Sequence, residues 1–129
     1  MRIKTIGRPA HVSLAIVKKA AYFYGKYLIG GGKLFNNIRL TIQFEKVNSD
    51  DGDYAYCDWT DDNNNCREFQ IGIDRSLSKK EALLALAHEM VHLYEYNTYG
   101  QMTHGPKFYE WKETLAEHGI DLSRTYDVD

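Results

Sequence analysis

The chain has 129 residues, of which 43% are hydrophobic, 13% aromatic and 26% charged, enough to bury one core and too few for two ordinary domains. The aromatic content and the presence of only two prolines exclude a disordered or low-complexity chain, which lacks the apolar surface to offset its conformational entropy. The net charge of -2 conceals a polarised chain: eight of the 16 Lys and Arg side chains fall in residues 1–40, where no acidic residue occurs, so residues 41–129 carry a balance of -10.

The first residues, Met1 to Arg8, are polar and lack the apolar run and small-residue cleavage site of an export signal. Lys18 and Lys19 interrupt the best apolar stretch, Val12 to Ile29, and a membrane span needs about 20 apolar residues. A cytoplasmic protein without membrane association is the expectation. After Pro9, His11 to Ile29 is predicted to be helical, with two adjacent stripes forming a broad buried face. One stripe is Ile16, Ala20, Phe23 and Tyr27; the other is Val17, Ala21, Tyr24 and Leu28. Lys18, Lys19 and Lys26 would point outward, and Gly30, Gly31 and Gly32 would end the helix.

Between Ile38 and Val47 the period changes to two, with Ile38, Leu40, Ile42 and Phe44 alternating with polar residues, the pattern of a half-buried strand. Two more strands, Tyr54 to Trp59 and Glu68 to Ile73, flank a run of turn formers from Thr60 to Asn65 and read as a hairpin. Glu68 to Ile73 is taken as the exposed edge to which an extended peptide would add. Cys57 and Cys66 lie symmetrically about this turn; a cross-strand disulfide is one reading, and two reduced small apolar side chains is the one expected inside a cell.

Ser78 and Glu81 fit a capping box, which predicts a helix starting there and stopping at Gly100. A last helix is expected from about Pro106 to His118. The order of helix, three strands and two helices gives an α+β class with a three-stranded antiparallel sheet, and a single domain over residues 1–129.

Inside the second helix, His88-Glu89-Met90-Val91-His92 matches H-E-x-x-H. At about 3.6 residues per turn, positions i and i+4 share a face, so two imidazoles project toward one point and make half of a zinc site. Glu89 stands beside the first of them, where its carboxylate can reach a metal-bound water instead of the metal. The competing reading is a pair of satisfied core histidines, but the neighbours Leu84, Ala85, Ala87, Val91 and Leu93 are apolar, a costly setting for three ionisable groups without a partner. A catalytic zinc takes a third protein ligand and leaves one position to water. His104, before Gly105 and Pro106, is the expected third ligand, ahead of His11 and His118.

This motif, followed at this distance by His104-Gly105-Pro106-Lys107-Phe108, resembles the SprT-like zinc metallopeptidases, the group that includes the Spartan protease acting on DNA–protein crosslinks. The resemblance covers roughly Pro9 to His118. It implies a zincin-like minimal protease domain holding one zinc ion, with His88, His92 and His104 as ligands and Glu89 as the catalytic glutamate. Phe108 and Trp111 look like packing positions of the last helix. Many members carry a four-cysteine zinc ribbon after the protease domain, whereas this chain ends at Asp129 with only Cys57 and Cys66. A small stand-alone version would suit a phage or a mobile element.

The expected function is therefore that of a zinc-dependent endopeptidase acting on protein or peptide substrates. The alternative is a non-catalytic, zinc-stabilised module that binds nucleic acid or protein through the basic N-terminal helix. For that basic section two readings stand side by side. Lys18, Lys19 and Lys26 either meet DNA phosphates or pair with the acidic remainder of the same domain.

Overall fold

The computed structural model describes residues 2–29, 38–47, 54–61, 67–100, 105–106 and 110–120. The first described element is a strand, β1 (Arg2–Gly7), where residue pattern alone shows only a polar terminus. Helix α1 (Leu14–Phe23) follows and runs into a π-helical turn, Tyr24–Leu28. Strands β2 (Ile38–Glu45), β3 (Ala55–Asp61) and β4 (Arg67–Asp74) lead to α2 (Lys79–Tyr99). The last helix expected as one piece from Pro106 to His118 is corrected: Pro106 is helical, Glu110 and Trp111 form a turn, and a short helix, α3 (Lys112–Ala116), follows and ends before His118.

Among the described residues the sheet is four-stranded and mixed, in the order β1-β2-β4-β3, and this corrects the expected three-stranded antiparallel sheet. Strands β1 and β4 both run parallel to β2, while β3 pairs antiparallel with β4, as expected for that pair. Alternation along β2 reveals that it is a strand but carries no information on the direction of its neighbours. The direction is set by connections: parallel strands need a crossover, and α1 lies in the one that joins β1 to β2.

Strand β4 is thus interior, and the edge proposed for Glu68 to Ile73 is corrected. The outer strands of the described sheet are β1 and β3. Cys57 stands opposite Ile71 instead of another cysteine, and Cys66 lies outside the described residues.

Helix α1 packs on β1, and α2 packs on β3, β4 and α1. Ile3, Leu40, Ile42, Phe44, Cys57, Phe69, Ile71 and Ile73 are buried with Val17 and Ala21 of α1 and Leu86, Met90 and Leu93 of α2. The expected broad apolar face of α1 is narrower in the fold. Ser13 begins the helix later than His11, its side chain accepting from the Ile16 N–H at 3.1 Å. Val17, Ala21 and Tyr24 are buried, but Ile16 and Phe23 are each 41% exposed and Tyr27 is 62% exposed. Of the second stripe only Ala20 packs partly against the core, and its larger members face out. The expected stop at Gly30 to Gly32 lies outside the described residues.

The other sheet face is polar. Tyr56 donates to Glu45 Oε1 at 3.0 Å, and Gln70 Nε2 donates to Tyr56 Oη and to Gln43 Oε1, each at 3.1 Å. Burial, then the Glu45 carboxylate, push the Tyr56 phenol above its ordinary range. Gly72, opposite Tyr56, permits this network because a Cβ there would overlap the tyrosine ring.

The turn between β4 and α2 is built on Asp74. Its carboxylate accepts from Ser76 N at 2.8 Å, Ser76 Oγ at 2.6 Å and Val47 N at 3.2 Å. Burial alone would raise this carboxyl, but the Ser76 and Val47 hydrogen bonds outweigh it and hold it below the usual carboxylate range. Removing the side chain in Asp74→Ala is expected to cost about 1–3 kcal/mol at neutral pH, read as a lower urea midpoint. Because the native carboxyl is depressed, its contribution is complete above the unfolded-state range and disappears as pH falls through the native value. The stability gap between wild type and variant should therefore close on acidification; a gap that is constant with pH would refute the assignment.

Candidate metal centre

Helix α2 has the termini its sequence specifies. The Glu81 N–H donates to Ser78 Oγ and the Ser78 N–H to Glu81 Oε1, each at 3.1 Å, completing the capping box. Gly100, at φ +77°, closes the other end in the left-handed conformation that glycine adopts without steric cost. These caps fix where the helix starts and hence which residues face one another along it.

Its middle is buried on all sides. From Ala85 to Leu93 every residue is buried, including His88, Glu89 and His92, and Glu95 follows them; none of these four ionisable residues is more than 3% exposed. Helices with one polar face usually turn their ionisable groups to water. Here the fold keeps two imidazoles and two carboxylates in one dry stretch.

His88 and His92 converge. Their Nε2 atoms lie 3.2 Å apart and the rings meet edge to face with centroids 4.8 Å apart. Two nitrogens bound to one tetrahedral zinc ion at ~2.0–2.1 Å are separated by ~3.3 Å, so the spacing of the pair matches that of two ligands sharing one ion. The same spacing also allows one imidazole N–H to be shared between the rings. Neutral imidazoles are preferred zinc ligands, and the donor set suits zinc better than magnesium or calcium, which favour oxygen.

Glu95 is a residue that sequence reasoning missed. Its Oε1 lies 3.4 Å from His92 Nδ1. A proton on Nδ1 directed at this carboxylate leaves Nε2 with the lone pair that a metal needs, and such an outer carboxylate fixes both tautomer and ring orientation. The signal was present in the chain, since Glu95 follows His92 at i+3 and so shares its side of the helix. Motif reading stops at the second histidine and passes over it.

Among the described residues no group of three or more His, Cys, Asp or Glu side chains is placed to hold a metal ion. The expected third ligand, His104, lies outside the described residues, as do Lys107, Phe108 and Tyr109. His11 and His118 are not part of the pair; His118 packs edge to face on Phe23 with ring centroids 5.7 Å apart. Trp111 has the packing position expected of it, meeting Tyr94 edge to face at 5.2 Å. Burial and then Tyr99 raise the Tyr94 phenol above its ordinary range.

A separate cavity of about 820 Å³ is bordered by Arg2, Lys4, Lys18, Arg39, Tyr22 and Trp59 among others, and by none of His88, Glu89 and His92. One of its cations is already engaged, since Arg39 Nη1 lies 3.3 Å from Glu68 Oε1. No helix among the described residues is long and apolar enough to cross a membrane.

The profile of the SprT-like family matches residues 29–126, a span that includes the whole of α2. No curated protein and no solved structure matches the chain.

Proposed function

The chain belongs to the SprT-like family, which is zinc-associated and linked to metallopeptidases, and from that premise we propose that it is a zinc-dependent endopeptidase. The observation that carries this reading is the convergence of the His88 and His92 Nε2 atoms at 3.2 Å beside a buried Glu89. His88, His92 and His104 would hold one zinc ion. Bound there, the ion supplies Lewis acidity, which brings the pKa of a water down toward ~7 and polarises a peptide carbonyl.

The chain's own residues do the rest. Glu89, next to His88 in the helix, takes the proton of the attacking water and returns it to the leaving amine. Its burial matters, because a carboxylate kept from bulk water exchanges its proton with the reacting groups and not with solvent. Glu95 keeps the His92 ring turned so that Nε2 faces inward. The substrate would lie extended along β3, an outer strand of the described sheet next to α2, whose outer edge would offer backbone hydrogen bonds to an antiparallel peptide.

The test is elemental analysis of protein purified without added metal, paired with cleavage of casein before and after chelation. The expected result is one zinc per chain and proteolysis that chelation stops and zinc restores. Metal-free protein, or cleavage indifferent to the chelator, would overturn the assignment.

One observation favours the second reading, a zinc-stabilised nucleic-acid binding module. On α1 and the turn after it, the exposed rings of Tyr22, Phe23 and Tyr27 alternate with Lys18, Lys19 and Lys26, and Lys26 Nζ lies 5.4 Å from the centre of the Tyr27 ring. Rings interleaved with cations suit single-stranded DNA, where bases stack and phosphates pair. Under this reading DNA binding persists in Glu89→Gln and no substrate is cleaved; under the first, DNA acts only on the rate of cleavage.

A further inference from the structure

Trp59 is the largest side chain that the fold leaves in view near α2. It lies on β3, an outer strand of the described sheet, and is 44% exposed. Such a side chain on a free strand edge costs solubility and invites aberrant pairing, and proteins usually avoid it. Here it is held in place: the Trp59 ring stacks on Tyr96 with centroids 4.1 Å apart and planes 33° apart. Tyr96 is in turn braced edge to face by Phe69 at 6.0 Å. A pair so ordered presents a rigid apolar surface at little further entropic cost to a ligand.

Its position relative to the histidines is set by helix geometry. Tyr96 follows His92 by four residues, as His92 follows His88, so the three form one slowly turning stripe and Tyr96 stands ~6 Å further along the axis than His92. In an extended peptide, side chains on one face recur every ~6.6–6.8 Å. One helical turn and two peptide residues are therefore nearly the same length. A peptide laid along β3 with its scissile carbonyl at the histidine pair would bring a side chain within two residues of that bond onto Trp59 and Tyr96.

We propose that Trp59, supported by Tyr96, is a specificity subsite that selects a large apolar or aromatic side chain within two residues of the scissile bond. This rests on the endopeptidase reading for its register and on the strand edge for its binding mode. Small or acidic side chains leave the ring surface wet and gain nothing there.

The test uses the zinc-loaded full chain on a mixed peptide library, with cleavage positions read by mass spectrometry. Wild type is expected to enrich Phe, Tyr, Trp or Leu at one fixed position within two residues of the cut. Trp59→Ala should erase that enrichment and lower kcat/KM about tenfold or more for an aromatic peptide, with little change for its glycine counterpart. Trp59→Phe should restore it. Unchanged thermal melting of Trp59→Ala shows that the fold persists.

Binding is followed without catalysis in a Glu89→Gln, Trp111→Phe background, where Trp59 is the remaining tryptophan and its fluorescence should respond to the aromatic peptide. A cleavage profile identical in wild type and Trp59→Ala would overturn the subsite while leaving the endopeptidase standing. Saturable fluorescence with no cleavage by any zinc-loaded form would do the reverse. Trp59 also borders the basic cavity, so a single-stranded oligonucleotide is the competing occupant; a response to it and none to peptide would overturn the proposal as well.

Discussion

Glu89→Gln is expected to abolish measurable proteolysis while leaving zinc content and folding intact. The amide keeps the shape of the carboxylate and fills the same fully buried space, so packing is preserved, and replacing a buried ionisable group with a neutral one is neutral to stabilising. What is lost is the capacity to take a proton from water and pass it to the leaving amine. General acid–base catalysis contributes ~10²–10⁴ in rate, so kcat should fall by about that factor with KM little changed. Casein cleavage, zinc analysis and thermal melting on the same preparations check all three parts. Equal proteolysis by the two proteins would remove Glu89 from the chemistry and with it the reading of α2 as a catalytic helix.

The second large effect concerns metal retention, and two substitutions should grade it. His92→Ala removes one of the two converging nitrogens and is expected to leave the protein without stoichiometric zinc. Since an ion bound only to the native state stabilises by about 4 kcal/mol at a thousand times its Kd, zinc-dependent protection against melting should vanish in this variant. Glu95→Gln leaves both nitrogens in place and disturbs only the partner of His92 Nδ1. Loss of such an outer carboxylate weakens metal binding about 10–100-fold, a change that competition with a chelator resolves. Wild-type zinc affinity in His92→Ala would refute the site, whereas wild-type affinity in Glu95→Gln would refute only the orienting role of Glu95.

Much of the candidate centre was legible because its signals are local. The capping box at Ser78 and Glu81 and the glycine at position 100 mark the ends of α2 through contacts within a few residues, and i,i+4 spacing follows from helix geometry alone. That two histidines in this helix face one point therefore needs no tertiary information. Glu95 was equally local and was passed over because the motif ends at His92. The strand β1 was missed for a different reason. Arg2, Lys4 and Ile6 interleave with Ile3 and Thr5 in a short basic segment, and only pairing with Arg39 to Phe44 of β2 makes it a strand.

Sheet order and the choice of buried face belong to long-range contacts, and residue patterns do not encode them. The period of two identifies β2 and β4 equally well in a parallel or an antiparallel sheet. Their pairing with a strand on each edge, which makes β3 and not β4 an outer strand of the described sheet, is a consequence of where the crossover places β1 and β2. The same holds for α1, whose two apolar stripes are equivalent in sequence. Packing on β1 and α2 buries Val17 and Ala21 and leaves Phe23 and Tyr27 in solvent. Local chemistry thus named the helix of the candidate centre and its converging histidines, since helix spacing and caps act over one or two turns. Which strand edge and which aromatic side chains stand beside that helix depended on contacts between residues far apart in the chain, whose energies outweigh local preference.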